Sequence, residues 1–491
     1  MRDVTRRVFL STALAGLGSA AWAANPPATS LIPVPRPAGV GPVDLSRPQP
    51  PRDILAEIGL PGKTSFVVAD ARSGEILDSG NPHLRLPPAS VAKMVTAQYA
   101  LETFGPDHTF KTQIWTTAPI VNGRVDGDVL LVGGGDPLLD TDELAGLADR
   151  FLALGVKEVT GRFLVHGGVL PELYQIDPEQ PKHVSYNPSV GGLALNFNRV
   201  YFEWKHADGG LLVRMDARGQ SHQPLIPTIQ MAVVDRPGPV FDFKMSGVSE
   251  NWTVAKGALR KDGAQWLPVR NPTIYVGQAM HGILAEKGLR LPAPVQISGQ
   301  APGSPVAQIE SLPLIRIIRS MLYFSTNVVA EMLGLSATIA RGGAPKSLKD
   351  SGAAMSRWMQ TEMGAGAPRF VDHSGLGDAT RVTTGDLVKA LLHIGPDSAV
   401  AGVMRRKGMP KAGEGIGVVA KTGTLNFVSG LAGFADIGER DLAFAIIAAD
   451  LPHRNTIPLA ERERPRGAKG WSNRARHQEN ELIIHWRRMF G

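Results

Sequence analysis

Three β-rich runs follow one another late in the chain: Val418–Thr424, Val428–Asp436 and Asp441–Ala449. Only short connections separate them, and the last two are joined near Gly438. Long apolar runs on so short a connection predict a hairpin, and two long adjacent strands predict the core of an antiparallel sheet. An earlier pair, Thr64–Ala69 and Glu75–Leu77, flanks the turn Ala71–Gly74 and predicts a second hairpin. Helical periodicity covers Ser90–Thr103, Leu312–Met321 and Asn327–Ala340. The chain is therefore read as α/β (α+β).

With 491 residues the chain exceeds what one core usually supports, so two or three domains are expected. Hydrophobic residues make up 43%, as in soluble globular proteins. The formal net charge of +7 is spread along the chain, with no basic patch interleaved with aromatics, which argues against nucleic acid. Such an excess favours an anionic matrix or, at most, a peripheral membrane contact. There is no cysteine, so disulfides, thiol catalysis and cysteine zinc sites are excluded.

Residues 1–24 read as an export signal, with Arg6-Arg7 before an apolar run and Ala21-Trp22-Ala23 as a small-x-small cleavage site. The paired arginines resemble a twin-arginine signal, an ordinary Sec signal being the alternative, and a periplasmic location is expected. Residues 25–51 are a proline-rich linker. From 105 to 303 the texture changes to short β-like runs (Lys111–Thr116, Asp128–Val132, Arg162–Val165, Val200–Trp204) and one amphipathic helix, Thr141–Ala153. This block is read as an inserted region of one or two mixed domains. Within it, Gly133–Pro137 lacks the lysine of a phosphate loop and reads as a tight turn. Tyr186-Asn187-Pro188 and Ala194–Asn198 read as turn and sheet. The terminal segment Glu481–Phe490 is expected to pack on the sheet rather than on a membrane.

Chemistry concentrates in three short segments. Ser90 and Lys93 stand three residues apart at the start of a helix-like run, so both side chains share one face. Pro87 and Pro88 suit a helix entry, and a serine there sits among unpaired N–H groups. A neutral amine three residues on can take the hydroxyl proton once burial or neighbouring cations lower its pKa. Ser325-Thr326-Asn327 reads as a helix cap. Lys421-Thr422-Gly423 lies on the first of the three late strands, and Asp372–Gly377 reads as a tight loop.

The ordered set Ser90-x-x-Lys93, Ser325-x-Asn327, Lys421-Thr422-Gly423 resembles the signature of penicillin-recognising serine enzymes. The gaps are 232 residues from Lys93 to Ser325 and 96 from Ser325 to Lys421. The long first gap is similar to that of low-molecular-mass class C penicillin-binding proteins, D-alanyl-D-alanine carboxypeptidases/endopeptidases of peptidase family S13. The segments Leu86–Lys93, Gly135–Pro137, Ala194–Asn198, Ala330-Glu331, Asp372-x-Ser-Gly-Leu376 and Ala420–Leu425 carry the same resemblance. His373 and Gly377 depart from the usual Asp-Gly-Ser-Gly-Leu-Ser loop, as does the segment before Lys421.

The resemblance implies a serine β-lactamase/transpeptidase-like domain, a central antiparallel sheet flanked by helices, built from 52–104 and 304–491, with 105–303 inserted. It implies acyl transfer at peptidoglycan stem peptides ending in D-Ala-D-Ala, with β-lactams acylating the same serine. Ser90 would be the nucleophile and Lys93, held neutral by surrounding positive charge, the base. Ser325 would relay a proton, Asn327 would bind Lys93 and the substrate amide, and Lys421 would supply positive charge. The N–H groups of Ser90 and Thr424 would form the oxyanion hole. Thr422, Gly423 and Thr424 would line the substrate strand, the two threonines holding the terminal carboxylate. No metal or organic cofactor is implied, and oligomeric state has no sequence signal. Two other readings share these residues: a β-lactamase-like esterase or peptidase with another substrate, and a catalytically weak cell-wall-binding protein.

Overall fold

The computed structural model describes residues 52–491; the export signal and linker assigned to 1–51 lie outside the described residues. Six strands form one antiparallel sheet: β1 (Lys63–Asp70), β2 (Ile76–Gly80), β3 (Arg405–Lys407), β4 (Gly417–Leu425), β5 (Val428–Asp436) and β6 (Asp441–Ala449). Their order across the sheet is β3-β4-β5-β6-β1-β2. The last strand pairs with the first along its whole length, Lys63 opposite Ala449 and Asp70 opposite Leu442. Residues almost 400 positions apart are thereby bound into one layer.

Side chains alternate across this sheet, as a two-residue period requires. Val67, Ala69, Ala432, Ala443, Ala445 and Ile447 face the helices α1 (Ala92–Phe104), α2 (Leu314–Phe324), α3 (Asn327–Ala340), α4 (Leu348–Met363) and α5 (Thr384–Ile394). Phe66, Val68, Leu431, Phe444 and Ile446 face the terminal helix α6 (Ala468–Phe490), whose Leu482, Ile483, Ile484 and Trp486 are buried against them. This helix uses its apolar face on the sheet. Among the described residues no helix is long and apolar enough to cross a membrane.

The block from Lys111 to Glu310 builds its own sheets around a second core. Five strands run in the order Val295–Ile297, Phe163–His166, Val129–Val132, Lys111–Thr116 and Ser304–Glu310. Two further three-stranded sheets lie between residues 199 and 268. Strand Ser304–Glu310 pairs with Lys111–Thr116, so by pairing the seam falls after Glu310, not before Ser304. The helix expected at Thr141–Ala153 spans Thr141–Leu152 and starts with a reciprocal cap. Asp140 accepts from the Asp142 and Glu143 amides, while the Glu143 carboxylate accepts from the Asp140 amide. A helix at Pro272–Glu286, capped by Asn271, has no counterpart in the sequence reading.

Candidate active site

Ser90 does not open the helix. It sits in a 3-10 turn, Ala89–Val91, and α1 begins at Ala92. Ala89 carries φ 48°, a left-handed conformation that costs an L-residue about 1–2 kcal/mol. The neighbouring strand holds this turn in place. At Gly423 on β4, a Cβ would lie 2.5 Å from the Pro88 carbonyl oxygen and 3.1 Å from the Ser90 nitrogen. Only glycine lets β4 pass so close to the turn.

Lys93 is fully buried, on the first turn of α1. Its Nζ lies 2.9 Å from Ser90 Oγ, 2.8 Å from Asn327 Oδ1 and 2.8 Å from the Ser374 carbonyl oxygen. A neutral amine has two N–H bonds and one lone pair. The Asn327 and Ser374 oxygens can only accept, so they take the two N–H bonds. The lone pair is left for the Ser90 hydroxyl proton. The triangle of partners thus fixes the direction of proton transfer, provided the amine is neutral.

Burial lowers the Lys93 pKa to about 8, against an opposing pull from the Glu331 and Asp372 carboxyls. The expectation that positive charge keeps Lys93 neutral is corrected here: the groups facing it from α3 and the 372–377 loop are acids, and loss of hydration is what depresses it. Both acids are buried. Glu331 accepts from the His373 and Ser374 amides at 2.9 Å each. Asp372 accepts from the Gly375 and Gly377 amides at 2.8 and 2.6 Å. Burial raises Glu331 to about 8 and Asp372 to about 6. The charge of Lys93 in turn pulls both carboxyl pKa values down, against the larger effect of burial.

Ser325 is also placed differently from its sequence reading. It is not the cap of α3; it ends α2 in the left-handed region, φ 57°, and Thr326 precedes α3 without a side-chain cap bond. The kink turns Ser325 and Asn327 into the same cleft as Ser90. This cleft, of about 280 Å³, is also lined by Thr424, Tyr186, Gln180, Arg454 and Arg462. Lys421 is buried on β4, with its amine donating to the Thr422 carbonyl at 2.6 Å. Burial first, then the charges of Lys93 and Arg405, push its pKa well down. Thr422 is exposed and is not among the residues lining the cleft, whereas Thr424 is.

Sequence reasoning missed Glu331 and Asp372 as parts of the site. The signal for Glu331 was a single acid inside the otherwise apolar run Val328–Leu335. The departure at His373 is explained away from the cleft. The ring points into the interior, where burial drops its pKa to about 3 and Nε2 lies 2.7 Å from Ser351 Oγ. Gly334 on α3 makes the room, since a Cβ there would lie 2.1 Å from the ring.

Residues 52–464 match the model of the D-Ala-D-Ala carboxypeptidase 3 (S13) family. A D-alanyl-D-alanine carboxypeptidase of Actinomadura sp. (strain R39) is 28% identical over 454 residues, covering 83% of this chain and 81% of the relative. Carboxypeptidase DacB of Mycolicibacterium smegmatis is 24% identical over 471 residues, 86% of each. In fold, the chain is similar to penicillin binding protein 4 from Haemophilus influenzae, with a TM-score of 0.69 at 20% identity over 87% of this chain and 98% of the other. That protein has also been solved in complex with a β-lactam. With its family model matched over most of the described length, this chain belongs to the S13 family of D-Ala-D-Ala carboxypeptidases and is a serine carboxypeptidase acting on peptidoglycan.

Proposed function

We propose that Ser90 is the acylated residue and Lys93 the base that activates it. The observation that carries this reading is the set of three Lys93 contacts, two to pure acceptors and one to the Ser90 hydroxyl. Ser90 Oγ attacks the carbonyl of the penultimate D-Ala as its proton passes to Lys93. The tetrahedral oxyanion is received by the Ser90 and Thr424 N–H groups; one such donor typically contributes about 10²–10³ in rate. Ser325, which shares the cleft with Ser90, relays the proton to the leaving D-Ala amine. Asn327 holds Lys93 with its oxygen, and its amide NH₂ meets the substrate backbone. Lys421 and Thr424 favour the terminal carboxylate, with Thr422 contributing from the exposed side of β4. Water then releases the acyl-enzyme through the same base.

A β-lactam presents the same carbonyl and acylates Ser90. The endopeptidase action expected from the resemblance uses the same acyl step, with a cross-linking amine as leaving group. Residues 52–104 and the segment from Ser311 to the C-terminus form the catalytic part, and the block between them is the insertion. The N-terminal arginine pair and apolar run support export, by the twin-arginine route, to the periplasm.

The test is covalent labelling by fluorescent penicillin together with D-Ala release from a synthetic pentapeptide. Ser90→Ala is expected to abolish both. Labelling of that variant at the wild-type level would remove Ser90 from the reaction, and mass spectrometry of digested muropeptides would separate carboxypeptidase from endopeptidase products.

A further inference from the structure

The insertion meets Asn327 through a backbone carbonyl. Asn327 Nδ2 donates to the Tyr186 carbonyl oxygen at 2.9 Å, and Tyr186 belongs to the segment 174–190. That segment forms no helix or extended strand. Its shape is held from within the insertion by two buried side chains. Arg270 donates to the Tyr174, Asn187 and Lys182 carbonyls, at 3.2, 2.9 and 2.6 Å. Asn187 accepts from the Ile176 and Asp177 amides and donates to the Asp177 carbonyl, at 3.1, 2.8 and 2.8 Å. The Arg270 backbone is itself pinned, its amide donating to Glu250 Oε1 at 2.8 Å.

The orientation of the Asn327 amide matters because its two ends are chemically opposite. With the oxygen toward Lys93, the amine donates to it and keeps its lone pair for Ser90. With the amide turned over, the NH₂ donates to that lone pair and blocks proton transfer. A carbonyl accepts and cannot donate, so the Tyr186 oxygen selects the productive orientation. One Asn327 N–H is spent on it.

We propose that Arg270 and Asn187 are positioning residues for catalysis: through the Tyr186 carbonyl they lock the Asn327 amide so that Lys93 can act as a base. The insertion is then part of the proton-transfer apparatus. This rests on the reading of Ser90 and Lys93 as nucleophile and base. The other charged groups facing Lys93 are Glu331 from α3, Asp372 from the 372–377 loop and Lys421 from β4; none of them contacts Arg270 or Asn187.

The test is the pH profile of single-turnover acylation by fluorescent penicillin, on the full-length enzyme, for Arg270→Lys and Asn187→Ala. The plateau should fall about 10-fold or more, as displaced catalytic groups do. The acid limb should move to lower pH, because a donated hydrogen bond favours the neutral amine. Loss of stability alone would lower the plateau and leave the limb in place, and that result overturns the proposal. The second arm is Asn327→Asp, whose carboxylate has no NH₂ to turn inward. In that background Arg270→Lys should leave the limb where Asn327→Asp puts it; an equal shift in both backgrounds also overturns the proposal. Lys93→Ala separates the two levels. If Lys93→Ala acylates at the wild-type rate, the base assignment fails. If it collapses while Arg270→Lys and Asn187→Ala keep the wild-type profile, only the positioning role fails.

Discussion

The sheet-and-helix part and the insertion each bury a cation, and they use it in opposite ways. Lys93 lies among two acids and three hydrogen-bond partners, and one of those partners is a hydroxyl that can lose its proton. Arg270 ends on three backbone carbonyls, none of which can. An amine shifts its pKa on burial and becomes a base, whereas a guanidinium keeps its charge and serves as a fixed fork of donors. Burial of charge therefore does not by itself mark a catalytic group. What marks it is a contact to an atom that can react.

The largest effect that would break this contrast belongs to Lys93. Lys93→Ala should slow acylation about 10²–10⁴-fold, the range of a lost general base; stopped-flow labelling reads it directly, and a near-normal rate would refute the assignment. Next is Gly423→Val. Its side chain would drive β4 off the Pro88–Ser90 turn, and a displacement of about 1 Å at the reacting groups costs about 10²-fold. The fold should survive, because the conflict is with one turn, so circular dichroism should stay unchanged while labelling falls.

The pH dependence sharpens the same point. Lys93 must be neutral to act, and its pKa is lowered to about 8, so acylation should rise with pH and level off above about 8. A limb near 10.5 would mean that burial does not depress the amine. Glu331→Gln removes a negative charge that holds the proton on Lys93, so it should move the limb to lower pH. It also sets an amide NH₂ against one of two backbone donors, at a cost of about 1–3 kcal/mol in stability, readable by thermal unfolding. The smallest effect is in the insertion, away from segment 174–190. Asp140→Ala should cost about 1 kcal/mol through the lost helix cap and leave acylation unchanged. A large catalytic loss there would mean that the whole insertion, not one segment of it, tunes the site.

The late strands and both hairpins were legible because their period and turn residues are local. β5 and β6 run over the residues that the apolar pattern marks, and α3 spans the run read for it. Ser325 was misread for a comparable reason: a serine before a helix has the composition of a cap, while its left-handed backbone, which ends the preceding helix, leaves no mark in composition. The strand Ser304–Glu310 went to the wrong side of the seam because its partner, Lys111–Thr116, lies almost 200 residues upstream. Glu331 and Asp372 went unassigned because an acid's role depends on which amine it faces.

What the residues determined alone is the proposed reacting inventory: a hydroxyl and an amine three positions apart, a second hydroxyl and amide, and a lysine on a strand. Those distances along the chain are set by covalent spacing and helical or extended geometry. What tertiary structure decided is which lone pair stays free. The Tyr186 carbonyl, the Ser374 carbonyl and the burial that depresses Lys93 belong to backbone and packing. Every residue has a carbonyl, so no side-chain pattern announces the two that point at this site.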